Sequence, residues 1–156
     1  MRFLCDEMLV RLARLLRTAG YDTYLASGGQ SDDELLALAR EDNRVLLTRD
    51  KALARRAHPR ALAVEGRGPD EEAQMVSAHL PLDWSLAPFT RCVMDNTPLR
   101  DATDDDLARM PPEAAQMNGP FRACPECGRV YWPGSHVKRM VARLESLAQK
   151  PPQALL

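Results

Sequence analysis

Over the first 80 residues, short apolar runs alternate with longer segments of helical periodicity, and this alternation constrains the fold more than any other feature. The apolar runs predict four strands, at residues 2–5, 21–25, 44–48 and 61–64. Apolar residues three and four positions apart predict helices at residues 7–19, from residue 31 or 32 onward, at about 51–57 and at 70–80. Strands that alternate with helices are typical of right-handed βαβ units around a parallel sheet. The sequence therefore predicts the α/β class with a mostly parallel sheet.

The composition changes after residue 80. Residues 81–88 begin and end with proline and predict a linker. Beyond residue 91 turn-forming residues are frequent, with a short helix predicted from Thr103 and a terminal helix over residues 137–149. We therefore predict two domains, residues 1–82 and residues 90–150, the second of which is too small to build a large core.

Charge and hydrophobicity exclude several classes of protein. The net charge is −1 and aromatic residues make up 5% of the chain, which argues against a uniformly basic nucleic-acid binder and against a surface built mainly on base stacking. No apolar run approaches the roughly 18 residues of a membrane span, and Asp6 comes too early for a signal peptide. We expect a cytoplasmic protein without membrane partners, in which paired cysteines favour a metal over a disulfide.

Three acids stand where a strand or loop passes into a helix. Asp6 and Asp50 follow predicted strands, and Asp32 opens a predicted helix. Such positions converge at the carboxyl edge of a parallel sheet, and acids gathered there repel one another unless a cation such as Mg²⁺ or Mn²⁺ joins them. A cation held by these acids can orient water and neutralise charge on a phosphodiester. The alternative is that each acid is an ordinary helix cap.

Four residues of the C-terminal part predict a structural zinc site. Cys124 and Cys127 flank Pro-Glu and precede Gly128, which is the shape of a zinc knuckle. Cys92 lies upstream, and either Asp95 or His136 can supply the fourth ligand. The alternative is that zinc has been lost and the fold persists by packing alone. Cys5 lies in an apolar strand and is predicted to be a core residue.

Basic and aromatic residues near these sites are candidates for nucleic-acid binding. Arg11, Arg14 and Arg17 recur at intervals of three on the first predicted helix. The other candidates are Arg49 and Lys51 beside Asp50, and Trp132, His136, Lys138 and Arg139 near the C-terminus, where Arg129 and Arg143 also lie. Positive charge at the margin of a metal site attracts a phosphate backbone, and aromatic rings contact single-stranded bases. The alternatives are solvated helix faces, and a tryptophan that packs within a small core of its own.

An ordered series of motifs resembles the Mut7-C ribonuclease family. The motifs of the N-terminal part are Phe3-Leu4-Cys5-Asp6-Glu7-Met8-Leu9, Leu12-Ala13-Arg14-Leu15-Leu16-Arg17, Gly20-Tyr21-Asp22, Ser31-Asp32-Asp33-Glu34-Leu35-Leu36 with Ala39, and Arg44-Val45-Leu46-Leu47-Thr48-Arg49-Asp50. Those of the C-terminal part are Arg91-Cys92, Cys124-Pro125-Glu126-Cys127, and Val130-Tyr131-Trp132-Pro133-Gly134-Ser135-His136 with Met140.

This resemblance implies a PIN-like three-layer α/β/α fold with a C-terminal zinc ribbon. It further implies a ribonuclease that cleaves RNA, here expected to be single-stranded, with Mg²⁺ or Mn²⁺ held by Asp6, Asp32 and Asp50. Many PIN nucleases have a fourth acid, for which the candidates are Asp22, Asp33 and Glu34. Where the family has a Cys-x-x-Cys pair, this chain has Cys92-Val93-Met94-Asp95. The rival expectation is an inactive PIN-like module that binds RNA or a protein.

Overall fold

A four-stranded parallel sheet organises the N-terminal part of the protein. The computed structural model describes residues 1–149. The strands are β1 (Arg2–Cys5), β2 (Asp22–Leu25), β3 (Val45–Thr48) and β4 (Ala61–Ala63), in the order β2-β1-β3-β4. All three pairings are parallel, with Cys5 opposite both Leu25 and Leu47. The predicted α/β class with a parallel sheet is confirmed.

Four helices connect or follow these strands. They are α1 (Val10–Thr18), α2 (Asp32–Glu41), α3 (Lys51–Arg56) and α4 (Pro69–His79). The helix predicted to begin at Glu7 starts instead as a 3-10 turn over Glu7–Leu9. Pro69 opens α4, a position at which proline costs no hydrogen bond and its fixed φ suits the helix.

The helices cover both faces of the sheet. Phe3, Cys5 and Leu47 project to one face and pack with α1 and α4. Leu4 and Leu46 project to the other face and pack with α2 and α3. Because side chains alternate along a strand, the short apolar runs supply both cores at once. Cys5 is fully buried and is a core residue, as predicted.

The C-terminal part contains a small antiparallel sheet that the sequence did not predict. Its elements are β5 (Arg100–Asp101), α5 (Asp104–Ala108), α6 (Pro112–Ala115), β6 (Arg122–Ala123), β7 (Val130–Tyr131) and α7 (Ser135–Gln149), with strand order β5-β6-β7. Such two-residue strands give almost no periodic signal. Among the described helices, none combines the length and the hydrophobicity needed to cross a bilayer.

Two segments of the C-terminal half pack onto the core of the parallel sheet. Leu144 and Leu147 of α7 join the core cluster beside α1. Trp84, in the segment predicted as a linker, is 2% exposed in the same cluster. The division into residues 1–82 and 90–150 stays a prediction, and its last position, residue 150, lies outside the described residues.

A buried arginine fixes the loop after Cys92 to the parallel sheet. Arg17 is 4% exposed, and its guanidinium donates to the backbone carbonyls of Thr23 (2.9 Å) and Met94 (2.8 Å). The side-chain oxygen of Asn96 accepts from the Thr23 N–H (2.9 Å). Arg17 is thus neither a phosphate ligand nor part of a solvated face, the two roles expected for the arginine stripe.

Candidate catalytic and metal-binding sites

Asp6 lies at the carboxyl end of β1 and is nearly buried. Its Oδ1 accepts the Met8 N–H (2.9 Å), which caps the 3-10 turn. Its Oδ2 accepts the hydroxyl of Thr48 and the Arg49 N–H (3.1 Å). The side chain is 9% exposed, so the acid is held rigidly with a narrow opening to solvent.

Asp50 is joined to the same edge through one hydroxyl. The Thr48 hydroxyl that donates to Asp6 also accepts the backbone N–H of Asp50 (3.0 Å). Asp50 caps α3, because its Oδ1 accepts from Ala52 (2.7 Å) and Leu53 (3.1 Å). Its Oδ2 makes no hydrogen bond within residues 1–149 and is free to bind a ligand. Asp50 is therefore a helix cap that stands at the same edge of the sheet as Asp6, since β1 and β3 are paired in parallel.

The third predicted acid, Asp32, lies in the first turn of α2 and has a different partner. The helix is capped by Ser31 and Glu34, whose side chains bond reciprocally to the backbone. Asp32 is ion-paired with Arg56 at 3.3 Å, and Asp33 contacts the same guanidinium. No group of three side chains that includes these acids has ligand atoms within 4.8 Å of one another, as judged over residues 1–149. The structure therefore does not bring Asp32 into one cluster with Asp6 and Asp50.

None of the candidates for a fourth acid belongs, within residues 1–149, to a group of three close ligand atoms that includes Asp6 or Asp50. Asp22 lies opposite Arg2, at the amino end of β2. Burial by itself would raise the pKa of Asp22, but hydrogen bonds from Arg44, Asn96 and Arg2 outweigh it and hold that pKa below its usual range. Glu34 completes the α2 cap and Asp33 pairs with Arg56.

Glu72, which the sequence did not single out, approaches the edge from α4. Its side chain is buried and forms an ion pair with Arg49, whose backbone binds Asp6. Arg49 also donates to the Gly66 carbonyl (3.3 Å). A signal was present, because Glu72 stands four residues before Val76 and so continues the apolar stripe of α4.

The second candidate site gathers Cys92, Asp95, Cys124 and Cys127. Each offers a ligand atom, and these atoms all lie within 4.8 Å of one another. The sulfurs of Cys92 and Cys127 are 3.7 Å apart, and the Cys124 sulfur is 3.3 Å from Asp95 Oδ2. Zinc–sulfur bonds of about 2.3 Å in a tetrahedral site place two sulfurs about 3.8 Å apart. The donor set and its spacing therefore suit zinc.

Local backbone geometry builds this cluster. Gly128 has φ +71°, which L side chains rarely adopt, and its N–H donates to the Cys124 carbonyl (3.0 Å). Tyr131 contacts Cys92 with its hydroxyl (3.3 Å), and that hydroxyl accepts the Val93 N–H (3.0 Å). His136, the alternative fourth ligand, is not in the group.

The predicted nucleic-acid contacts fall into three sets. Arg49 and Lys51 flank the acidic edge, where each is paired with a glutamate, Glu72 and Glu65 respectively. Arg11, Arg14, Trp132 and His136 line one cavity. Lys138 and Arg139 are exposed on α7 outside that cavity.

The comparison with known families bears on this arrangement. The model of the Mut7-C RNAse domain matches residues 1–144. The chain belongs to the Mut7-C RNAse family. No curated protein and no solved structure matches the sequence. The match spans both the sheet edge and the cysteine cluster, and it indicates a ribonuclease-type function with RNA as substrate.

Proposed function

We propose that the protein is a metal-dependent ribonuclease that hydrolyses phosphodiester bonds of single-stranded RNA at the carboxyl edge of the parallel sheet. The observation that carries this proposal is the position of Thr48 at the end of β3, where its hydroxyl donates to the carboxylate of Asp6 after β1 and accepts the backbone N–H of Asp50. Ligands of open α/β sheets bind at this edge. Membership of a ribonuclease family gives the edge a reaction.

The residues at the edge suit Mg²⁺ or Mn²⁺. Mg²⁺ is commonly held by one or two carboxylates and completed by water, and Asp6 with the free oxygen of Asp50 meets that requirement. In this proposal Asp32 contributes as the third acid after exchanging Arg56 for the cation or its waters. A bound dication supplies positive charge against the negative charge that develops on the phosphodiester. Asp6 and Asp50 would hold the ion, and Arg49 and Lys51 would contact neighbouring phosphates in place of the glutamates with which they are paired.

The proposal extends to the fold and to the second site. The three layers and the acids after β1 and β3 support a PIN-like domain over residues 1–82. Residues 90–150 are proposed as a zinc-ribbon-like domain in which Cys92, Asp95, Cys124 and Cys127 bind structural zinc. Lys138 and Arg139 are proposed as further RNA contacts, because both are exposed on α7.

The double variant Asp6→Asn/Asp50→Asn tests the proposed reaction. Asparagine caps helices as well as aspartate does, so α3 keeps its cap while the cation loses two charges. With a labelled single-stranded RNA and Mn²⁺, we expect cleavage to fall by a factor on the order of a hundred or more. Asp104→Asn is the matched control, since Asp104 is exposed in the first turn of α5. Undiminished cleavage by the double variant would refute the assignment.

One observation favours a second candidate function, an inactive RNA-binding or protein-interaction module. Asp32 is held by Arg56 rather than gathered with the other two acids. Thermal unfolding with increasing Mn²⁺ separates the two candidates. A catalytic edge is stabilised by Mn²⁺ and loses that stabilisation in the double variant. In an inactive module, the change in Tm on adding Mn²⁺ is the same for the unmodified protein and for the double variant.

A further inference from the structure

A cavity of about 700 Å³ lies between α1, the segment Gly128–Trp132 around β7 (the β7 turn) and the start of α7. Its volume is in the range of about 300–1,000 Å³ typical of ligand sites. One wall is α1, which contributes Arg11, Arg14 and Leu15; the opposite wall is the segment Gly128–Trp132 that follows Cys127. The cavity borders the cysteine cluster through Val93, Met94 and Gly128, but its lining contains none of the four candidate zinc ligands and neither acid of the sheet edge. Neither of the sites described above therefore accounts for it.

The charge of the cavity differs from that of the whole chain. Although the protein has a net charge of −1, no aspartate or glutamate of the described chain lines the cavity, whereas five arginines do. Arg109 and Arg143 are paired with Asp106 and Asp70. Arg11, Arg14 and Arg129 form no ion pair with any residue from 1 to 149. Three unpaired guanidinium groups around one concavity attract a polyanion.

Aromatic rings supply the second half of a nucleotide site. Phe89 has φ +55°, a strained conformation for a bulky residue, and its ring packs against Tyr131 with centroids 6.2 Å apart. Trp132 is only partly buried. A Cβ on Gly134 would lie 2.8 Å from the Trp132 indole nitrogen, so glycine lets the indole lie against the backbone. Both Phe89 and Trp132 line the cavity.

We infer that this cavity is a subsite for unpaired nucleotides of the RNA substrate. The rings take the bases by stacking, and Arg11, Arg14 and Arg129 take the flanking phosphates. Bases within a duplex are already stacked and paired, so the subsite selects single strands. An acidic peptide would satisfy the arginines but leave the aromatic rings without bases.

The position of the cavity relates it to the acidic edge. Helix α1 begins shortly after Asp6, and Arg11 lies in its first turn, nearer the edge than Thr18 at the far end of the cavity. Pro69, the first residue of α4, also lines the cavity, and the same helix carries Glu72. Helices α1 and α4 therefore link the lining of the cavity to the sheet edge. This inference rests on the proposed ribonuclease function for the identity of the ligand.

The test uses the full chain with zinc retained, in the Asp6→Asn/Asp50→Asn background and without added Mg²⁺ or Mn²⁺. The probe is a short labelled oligouridylate, with a blunt RNA duplex and a polyglutamate peptide as comparisons. Arg14→Glu/Arg129→Glu should weaken oligouridylate binding at least tenfold at low salt. The slope of the logarithm of the binding constant against the logarithm of the salt concentration should become shallower by about 0.7 for each phosphate that the variant no longer binds. Arg40→Glu is the matched control, because Arg40 is an exposed arginine on α2 that does not line the cavity.

Tryptophan fluorescence reports on stacking of bases against the indole, which binding through charge alone does not produce. Trp84 is 2% exposed and its indole donates to Ser77, so quenching by RNA must come from Trp132. Oligouridylate should quench the fluorescence of the Asp6→Asn/Asp50→Asn protein. It should leave the fluorescence unchanged when Trp132→Phe is added to that background. Trp132→Ala should bind about five- to a hundredfold more weakly, and Gly134→Ala should also weaken binding by displacing the indole. Circular dichroism confirms that each variant is folded.

The outcomes separate this inference from the proposed function. Equal binding of polyglutamate and oligouridylate, without quenching, would mean that the cavity docks an acidic protein and would overturn the inference. Unchanged RNA binding by the double charge reversal would also overturn it, while leaving cleavage at the acidic edge intact. If cleavage survives loss of Asp6 and Asp50 but RNA still quenches Trp132, the catalytic assignment fails and the subsite stands.

Discussion

The edge of the parallel sheet and the cysteine cluster both suit cations, but the chain builds them differently. At the edge, Asp6 and Asp50 cap turns that begin at the next residue, and the Thr48 hydroxyl contacts the Asp6 carboxylate and the Asp50 backbone N–H. In the cluster, the ligands come from two loops, with 31 residues between Cys92 and Cys124. The edge is thus positioned by local capping, whereas the cluster is assembled from distant loops that a bound ion could hold together.

The largest effect should follow loss of zinc from the cluster. We expect one zinc per chain, and Cys124→Ser or a strong chelator should remove it. Structural zinc contributes on the order of 10–16 kcal/mol in zinc-finger peptides, so a loss of about 5 kcal/mol or more is expected here. That corresponds to a fall in Tm of more than about 10 °C for a chain of this size. Elemental analysis and thermal unfolding measure both quantities.

Two further variants act as controls on the zinc experiment. Cys5→Ala should leave the zinc stoichiometry unchanged, because Cys5 is buried in β1. Asp95→Cys should retain zinc, since it offers a fourth thiolate at the same place. A parent protein that contains no zinc and keeps its Tm in chelator would mean that the cluster, like the edge, is held by folding alone.

The second effect concerns the contact between the parallel sheet and the loop after Cys92. Arg17→Met removes a buried guanidinium and leaves the carbonyls of Thr23, Val93 and Met94 without that donor. We expect a loss of about 2–4 kcal/mol in the free energy of unfolding, together with weaker zinc binding, because the loop after Cys92 is released. Denaturant unfolding and competition with a zinc chelator measure the two changes. Arg14→Met, on the exposed side of α1, should change neither by more than about 0.5 kcal/mol.

The burial of Arg17 shows how a sequence prediction can go wrong in a traceable way. Arg11, Arg14 and Arg17 were grouped because of their spacing of three. At 3.6 residues per turn, however, six residues rotate Arg17 by about 120° away from Arg11. That rotation carries Arg17 from the exposed face onto the buried one. The burial of Arg17 could have been predicted from the sequence by counting 100° per residue around the helix instead of grouping arginines by their spacing of three.

Other features could not be predicted because they depend on contacts between distant segments. The strand ends located Asp6 and Asp50, since a strand followed by an acid is a local pattern. The pairing of Asp32 with Arg56 joins α2 to α3, and no local pattern specifies it. The cavity needs α1, the β7 turn and α7 in place at once. The strands of the small sheet are too short to show a period.

A smaller effect should follow loss of the hydroxyl at the sheet edge. Thr48→Val keeps the shape of the side chain but removes a donor to Asp6 and the acceptor of the Asp50 N–H. We expect a loss of about 1–2 kcal/mol in stability. We also expect a decrease of about tenfold in the rate of RNA cleavage, because the Asp6 carboxylate loses the donor that fixes its position. Thr48→Ser keeps the hydroxyl and should therefore retain both the stability and the cleavage rate of the unmodified protein. Zinc content should stay unchanged, which separates the edge from the cluster.

The smallest effect is a pH dependence at Asp22, which connects the amino end of the sheet to the loop beside the cluster. Its carboxylate accepts hydrogen bonds from Arg44 and Arg2 of the sheet and from Asn96 of the loop beside the cluster. Although burial opposes ionisation, these partners lower the pKa of Asp22 in the folded state. The stabilisation is therefore complete above the ordinary aspartate pKa of about 3.9 and is lost as the pH falls below it.

Asp22→Asn isolates this contribution. The variant should be less stable than the parent at pH 6. The difference should shrink as the pH falls from about 5 toward 3, because Asp22 takes up a proton in the unfolded chain before it does so in the folded protein. Urea unfolding at each pH gives the free energy of unfolding of both proteins. The contributions of the other acids and of the thiols are the same in both, so they cancel in the difference. A constant difference across this range would mean that Asp22 acts through its shape rather than its charge. The sheet and the loop would then be joined without an ionic contribution from this residue.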